Sequence, residues 1–196
     1  MAKINPGKNG SSRETITKKA AALFRQKGYK ATSMRELAET LNIEAPSLYN
    51  HIGSKGELLQ DICFKVAETF TANLGKIEKM QANIINKIEV IIRFHIKMML
   101  ENFDEVFVAN HEWKHLQEPF FSDFLNQRRN YEKRLAALVE RGIQKKELKK
   151  SNSYIVVLTI LSAVRGLEFW QRNKKNISAQ ILEDTMVSQL LNGIVK

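Results

Sequence analysis

Apolar residues recur three and four positions apart along most of the chain, the spacing that places them on one face of an α-helix. Ile16, Leu23 and Phe24 form one such face, and Leu37 with Leu41 forms the next. No stretch shows the sustained alternation of apolar and polar positions that is typical of a β-strand. The pattern predicts an all-α fold of about nine helices, at residues 12–28, 34–41, 45–52, 55–77, 82–101, 104–116, 120–145, 152–172 and 178–194.

Three residue pairs with the spacing of a capping box stand at predicted helix starts: Ser11–Glu14, Ser33–Glu36 and Ser54–Glu57. In a capping box the serine oxygen accepts from a free amide of the first turn, and the glutamate reaches back to the backbone of the capping residue. Since each pair coincides with the start of an apolar periodic segment, the three boundaries support one another.

The segment 33–55 predicts two short helices joined by a tight turn. Asn42 stands where the first helix should stop, because asparagine tolerates a left-handed backbone better than most residues. Pro46 suits the first position of the second helix, where its missing amide would be unpaired in any case. Leu48 and Ile52 face inward, which leaves polar side chains pointing elsewhere. This is the outline of a helix-turn-helix, whose second helix lies in the DNA major groove.

Residues 13–59 resemble the N-terminal domain of the tetracycline-repressor (TetR) family of bacterial transcription regulators. The resemblance rests on Ala21-Ala22-Leu23-Phe24, Lys27-Gly28-Tyr29, Thr32 to Ala38, Ser47 to Ile52 and Ser54 to Leu59. The sequence departs from the family pattern at Asn42, where glycine is common, at Gly53, where a longer or aromatic residue is frequent, and at Glu44, an acid at the start of the reading helix. Glu44 would repel a DNA phosphate.

The resemblance implies three regions: a flexible basic arm at 1–10, a helix-turn-helix DNA-binding domain at 11–54, and a helical-bundle ligand-binding and dimerisation domain at 55–196. It also implies a homodimeric, ligand-responsive transcription factor, most simply a repressor of a palindromic operator. By match to the family motif, Ser33, Arg35, Tyr49 and Lys55 are expected to contact the DNA backbone. Ala45, Ser47, Asn50 and His51 are expected to meet base edges.

Charge supports a nucleic-acid partner. The chain carries a formal net charge of +10. Residues 1–56 hold ten lysines or arginines against four glutamates, so more than half of the excess lies in the predicted DNA-binding part. Because phosphate neutralisation supplies most sequence-independent DNA affinity, this distribution fits a DNA-binding protein.

Composition further limits the fold class and the cellular location that we expect. Gly 9 and Pro 3 are low counts for 196 residues and favour helices. The one cysteine, Cys63, excludes an internal disulfide and suits a packed helix face. The first ten residues are polar and basic, unlike a signal peptide. The apolar stretch 154–164 is shorter than the roughly 20 residues that span a bilayer. We therefore expect a cytoplasmic protein without a membrane span, and no cofactor.

The C-terminal two-thirds is rich in aromatic residues, as a helical bundle that holds an apolar small molecule would be. Plain core packing is the alternative for any one of these rings. The family resemblance implies a pocket for a small hydrophobic or amphipathic effector. The candidate lining residues are Phe94, Met98, Phe107, His111, His115, Phe124, Phe169 and Trp170, with His95 and Met99 nearby. An effector there is expected to shift the helix that begins at Lys55 and so change the separation of two reading helices.

Residues 111–115, His-Glu-Trp-Lys-His, fit the H-E-x-x-H pattern in which two histidines one helical turn apart bind zinc. A zinc-binding protein or hydrolase is therefore an alternative function, although five-residue motifs also occur by chance and the default is no metal. A ligand carrier without operator specificity is a second alternative.

The last two predicted helices carry more apolar residues than one bundle needs. Leu158, Leu161 and Leu167 belong to the first of them, and Ile181 and Leu190 to the second. Burial inside a monomer is possible for such a surface. The resemblance instead implies a symmetric four-helix interface between two copies of the chain.

Overall fold

In the computed structural model, which describes residues 9–172 and 177–195, the chain is all-α, as the periodicity predicts. The helices are α1 (Asn9–Lys27), α2 (Met34–Thr40), α3 (Ala45–Tyr49), α4 (Lys55–Lys79), α5 (Ile84–Glu101), α6 (Phe103–His111), α7 (Phe120–Gln144), α8 (Ser153–Arg165), α9 (Leu167–Arg172) and α10 (Ala179–Ile194), with a 3₁₀ turn at Trp113–His115. Within these ranges the β-type pairing is an isolated bridge between Leu148 and Val195.

Several boundaries differ from the sequence prediction. The predicted helix 152–172 divides at Gly166 into α8 and α9, because the Phe169 amide bonds the Gly166 carbonyl in a tighter, three-residue turn. Counting these two as one gives the expected nine helices within the described residues. The helix predicted at 104–116 ends at His111, and α3 ends at Tyr49 rather than at residue 52. Predicted ends commonly err by a few residues, whereas helix existence is more reliable.

At the amino terminus, α1 begins at Asn9, two residues before Ser11. The pair Ser11–Glu14 therefore does not start this helix, contrary to the prediction. Most of the predicted flexible arm, 1–8, lies outside the described residues.

Packing divides the chain into two compact units. Unit 1 contains the residues up to Val66 together with Asp104–Phe124, and unit 2 contains Ala67–Phe103 together with the residues from Leu125 onward. By expected function, the sequence instead divides the chain after residue 54 into a DNA-binding domain and a ligand-binding domain. That division stays a prediction. The chain passes between the units at three places, inside α4, at the start of α6 and inside α7.

The core of unit 1 joins the first four helices. Phe24 from α1, Leu37 from α2 and Leu48 from α3 are almost wholly buried, as are Leu58 and Ile62 from α4. These are the positions that the helical spacing assigns to inward faces. Burying such side chains contributes roughly 1.5–3 kcal/mol each, which fixes the short helices α2 and α3 against α1 and α4.

Unit 2 has its own aliphatic core and a set of ion pairs between helices. Leu74, Ile92, Ile96 and Leu138 are fully buried. Near the end of α4, Arg134 of α7 binds the Glu78 carboxylate with two hydrogen bonds of 2.6 and 3.1 Å. The guanidinium lowers the pKa of Glu78 below its usual range. The bidentate pair therefore fixes the carboxyl end of α4 to α7.

Several large apolar side chains of unit 2 face solvent: Tyr154, Ile155, Leu158, Phe169 and Ile181, each at least 60% exposed. They lie on α8, α9 and α10. The 18-residue stretch Ser153–Trp170 that holds four of them is long and apolar enough to cross a membrane by those two criteria alone, and 33% of it is buried. Exposed apolar surface of this extent marks an interaction site.

Candidate nucleic-acid interface and effector site

The cap of α2 forms as the sequence predicts. The Glu36 amide donates to Ser33 Oγ at 3.2 Å, and the Ser33 amide donates to the Glu36 carboxylate at 2.9 Å. The Lys27 ammonium, 2.6 Å from Glu36, lowers the pKa of Glu36 to about 2, together with the hydrogen bonds that the carboxylate accepts from the Ser33 amide and hydroxyl. The capping box therefore stays ionised and closed over the whole neutral range.

The turn between α2 and α3 depends on one left-handed residue. Asn42 has φ of +54°, as the sequence predicts for the residue that stops α2. The following amide, of Ile43, donates to the Ala38 carbonyl at 3.0 Å and so satisfies the end of that helix. Pro46 occupies the first turn of α3. These features together set the direction of the reading helix.

The polar residues of α3 and the turn after it face solvent. Leu48 and Ile52 are buried beneath them. Ser47, Tyr49, Asn50 and His51 are exposed, and Ala45 is partly exposed. Asn50 caps the carboxyl end of α3, and His51 follows it. All five are therefore accessible to a partner, and their base contacts stay predictions.

The predicted backbone contacts differ in their surroundings. Arg35 is exposed and pairs with Glu39 one helical turn away, at 3.2 Å. Such surface pairs are weak and exchange readily for a phosphate. The Ser33 hydroxyl is accessible but is first of all the α2 cap.

Lys55 has a structural role that sequence reasoning missed. Its Nζ donates to the backbone carbonyls of Tyr29 (2.9 Å), Lys30 (3.3 Å) and Thr32 (2.7 Å). The same ammonium lies 4.5 Å from the centroid of the Tyr29 ring, within the range of a cation–π contact. Since an ammonium has three donors, Lys55 ties the start of α4 to the loop after α1. Its phosphate contact stays a prediction.

Arg13 also connects distant helices of unit 1. Its guanidinium lies 2.7 Å from the Glu57 carboxylate and 2.6 Å from that of Asp61. These bonds lower the pKa of Glu57 and raise that of Arg13. The two acids lie 44 and 48 residues away in the chain, so no local sequence signal could identify the pairs. They hold α1 against the first turns of α4.

The eight predicted effector residues are divided equally between the two units. Phe94, Met98, Phe169 and Trp170 belong to unit 2, and Phe107, His111, His115 and Phe124 belong to unit 1. Within them, the Phe107 and His111 rings pack at 4.4 Å between centroids. Phe169 is 70% exposed. The Trp170 Nε1 is buried without a hydrogen-bond partner among the described residues. Their shared role in one effector site stays a prediction.

Unit 2 contains a buried neutral polar pair. His95 Nε2 and Tyr131 Oη are 2.7 Å apart, and the imidazole stacks on the Phe70 ring at 4.5 Å between centroids. Burial lowers the pKa of His95 to about 4 and raises the pKa of Tyr131. Both side chains are therefore uncharged near neutral pH, and the hydroxyl either donates to the imidazole or accepts from it.

A small apolar cavity of about 20 Å³ lies between α5, α7 and α8. Its lining side chains are aliphatic: Ile88, Ile91, Leu135, Leu138, Val139, Val157 and Ile160. Ile91 precedes His95 by one helical turn, and Leu135 follows Tyr131 by one turn. The volume is close to that of a single water site, so the helices must separate before a larger molecule can enter.

The H-E-x-x-H segment does not have the geometry of a zinc helix. His111 is the last residue of α6, and His115 lies in the 3₁₀ turn that follows. His115 Nε2 is 3.4 Å from the Glu112 carboxylate. The part of the chain that the structure describes holds no group of three or more His, Cys, Asp or Glu side chains placed to bind a metal ion.

A capped α2, a left-handed turn at Asn42 and a short α3 with exposed polar residues over Leu48 define a helix-turn-helix DNA-binding protein. Comparisons with known proteins identify a family for both the N-terminal and the C-terminal part of the chain. The family described as "Bacterial regulatory proteins, tetR family" matches residues 16–62, and "Tetracyclin repressor-like, C-terminal domain" matches residues 81–194. The chain belongs to the TetR family and is a DNA-binding transcriptional regulator.

Similar proteins match this chain over nearly its full length. The HTH-type transcriptional repressor KstR2 of Mycobacterium tuberculosis is 22% identical over 192 residues, which is 97% of this chain and 96% of the relative. A solved structure of that ketosteroid regulator superposes with a TM-score of 0.88, covering 95% of this chain and 96% of the other. AibR in complex with isovaleryl coenzyme A and operator DNA gives a TM-score of 0.80 at 22% identity, covering 91% and 97%.

Proposed function

We propose that this protein is a homodimeric repressor that binds a palindromic operator and is released by a small apolar or amphipathic effector. The observation that carries the proposal is the set of exposed polar residues on and after α3, held by the buried side chains of Leu48 and Ile52. The positive charge of residues 1–56 supports the same surface. A second copy would place its α3 in the next major groove, about 34–36 Å away.

The exposed apolar residues of α8, α9 and α10 support the dimer. Leu158 and Phe169 would lose contact with water only if another surface covered them. A membrane could also cover an apolar stretch. However, α8 ends at Arg165, and Gly166 interrupts the stretch before α9. We therefore propose a second copy as the occupant of this face, and a soluble protein of the cytoplasm.

Unit 2 offers the features that an effector site needs. The aliphatic cavity between α5, α7 and α8 can widen, and the His95–Tyr131 pair on the same helices supplies one uncharged hydrogen-bonding group. KstR2 is a ketosteroid regulator and AibR binds isovaleryl coenzyme A. We propose an effector with an apolar group for this cavity and an oxygen for this pair. The effector shifts the DNA equilibrium only by its differential affinity for the two states.

Helix α4 is the element through which such a shift would reach the DNA. It is continuous from Lys55 to Lys79. Its first turns are held by Arg13 in unit 1, and its last turns by Arg134 in unit 2. A displacement at one end is therefore carried to the other. Regulators of this family are generally not enzymes, and we propose no catalytic activity here.

Replacing Asn50 with alanine should weaken operator binding by roughly 10- to 100-fold, because a good base contact contributes about 1–3 kcal/mol. The experiment is an electrophoretic mobility titration on the promoter region upstream of the protein's own gene, with random duplex DNA as competitor. Asn130, an exposed asparagine of α7, gives the matched control, and Asn130→Ala should bind within about twofold of wild type, since Asn130 lies outside the helix-turn-helix.

Equal affinities of the Asn50→Ala and Asn130→Ala variants would remove Asn50 from the reading surface. A wild-type protein that prefers no operator over random DNA would overturn the repressor proposal and favour a ligand carrier. Adding isovaleryl coenzyme A or an uncharged steroid ketone to the wild-type complex then tests release by the ligand of the AibR complex and by the chemical class for which the ketosteroid regulator KstR2 is named.

A further inference from the structure

The segment 104–115 comes from the carboxyl-terminal family region, yet it packs as part of the helix-turn-helix unit. The C-terminal family match spans 81–194 and includes it. By packing, however, Asp104–Phe124 belongs to unit 1 with α1, α2 and α3. We call residues 104–115 the docking segment.

Two contact points attach the docking segment to α1 and to the loop that follows α1. The first is an ion pair between Arg25, near the end of α1, and Asp104, at the start of α6. The second is Tyr29. Its amide donates to the Glu112 carboxylate at 3.4 Å, and its ring stacks on the His115 ring at 5.4 Å between centroids with an interplanar angle of 19°.

Tyr29 also contacts α1 and the first residue of α4. Its ring packs edge-on against Phe24 at 5.2 Å between centroids. Its carbonyl accepts from Lys55, whose ammonium lies over the same ring. Lys55 bonds Thr32 as well, immediately before the Ser33 cap of α2. The backbone and ring of Tyr29, together with the Lys55 ammonium, therefore connect the docking segment to the starts of both α2 and α4.

The stacked rings of Tyr29 and His115 are both uncharged near neutral pH. Burial is the main cause that lowers the pKa of His115, and Lys30, Lys114 and Lys55 lower it further, while Glu112 acts in the opposite direction. Neutral His115 avoids repulsion from these three ammonium groups. The contact is thus a packing contact with fixed geometry, which suits a mechanical connection between elements.

We propose that Tyr29 is a positioning residue that couples the docking segment to the helix-turn-helix, so that operator binding and the position of residues 111–115 are linked. This assigns the H-E-x-x-H motif a role in coupling. The proposal rests on the proposed repressor function, since it needs an operator. Linkage is reciprocal: whatever moves the docking segment changes DNA affinity, and DNA binding changes the docking segment by the same free energy.

Trp113 lies inside the docking segment and provides the readout. Its ring packs against Phe121 and Phe124, at 5.6 and 6.4 Å between centroids. The chain has one other tryptophan, Trp170. Trp170→Phe removes an indole N–H that is buried without a partner among the residues described, so this variant should fold. The Trp170→Phe protein then reports on Trp113 alone.

Titrating the Trp170→Phe protein with operator duplex should change the Trp113 emission, with saturation at the DNA concentration that saturates binding. Random duplex of equal length should not reproduce the change. Adding Tyr29→Leu removes the stack, and the emission change should fall at least threefold while operator is still bound. Lys114→Arg, at an exposed neighbour within the docking segment, keeps the positive charge near His115, so it is the matched control and should keep the full change.

An unchanged Trp113 response in the Tyr29→Leu protein, measured at saturating operator, would overturn the coupling role and leave Tyr29 as packing only. His115→Ala tests the same contact from the other side and should reduce the response in the same direction. If the parent protein binds no operator in a mobility titration, the repressor proposal fails instead, so the two failures are distinguishable.

Discussion

Replacing Leu158 with glutamate should lower operator affinity by about 1,000-fold, because joining two binding modules typically raises avidity by 10²–10⁴. Leu158 is 65% exposed on α8, beside the exposed Tyr154 and Ile155. In a symmetric dimer this position meets its own copy or a neighbour of it, so two buried carboxylates would face an apolar surface. Burying an unpaired charge is far more costly than the contact it replaces.

Sedimentation equilibrium should show a dimer for the wild-type protein and a monomer for Leu158→Glu, and a mobility titration gives the affinity. Ala137→Glu introduces the same charge at an exposed position of α7 and should leave both measurements unchanged. A Leu158→Glu protein that remains dimeric and binds operator as tightly as wild type would exclude this face as the interface. A monomeric wild-type protein would do the same.

Acidification from about pH 7 to about pH 5 should reduce the free energy of unfolding by about 2 kcal/mol through His95 alone. Burial holds the pKa of this imidazole at about 4 in the folded protein, against an ordinary value of 6.5. Between these two values the unfolded chain binds a proton that the folded chain does not. Stability therefore rises with pH across this window, and it is lost as the pH falls below about 6.5.

Urea unfolding at the two pH values measures the effect. The double variant His95→Phe with Tyr131→Phe removes the titrating ring and also its hydroxyl partner, so that no buried polar atom of the pair is left unmatched. Its stability should fall about 2 kcal/mol less than that of the wild type over the same interval. An identical pH dependence in both proteins would show that His95 titrates with the same pKa in the folded and unfolded states, contrary to its burial.

Local sequence signals were reliable where the interaction partners are close in the chain. The Ser33–Glu36 box and the left-handed Asn42 depend on residues within three or four positions, and both are present. The inward faces of α1 to α4 follow from the 3.6-residue period alone. The same reasoning placed Asn50 and His51 on the surface, where they are.

Contacts between residues that are far apart in the chain could not be predicted from the sequence. Lys55 matches a family position for DNA contact, yet in the fold its ammonium bonds three carbonyls that lie 23 to 26 residues earlier. Gly166 lies inside the predicted helix 152–172, and in the fold it ends α8. These outcomes depend on which surfaces meet, and a one-dimensional pattern carries no information on that.

By itself the sequence determined the helices, the reading motif, its charge and the family. These features depend on short-range hydrogen bonding, periodicity and composition, which involve residues that are close together in the chain. Tertiary structure decided that 104–115 packs with the DNA-reading helices, that His95 meets Tyr131 and that α8 to α10 expose an apolar face. Each of these depends on long-range packing, in which the burial of one surface leaves another uncovered.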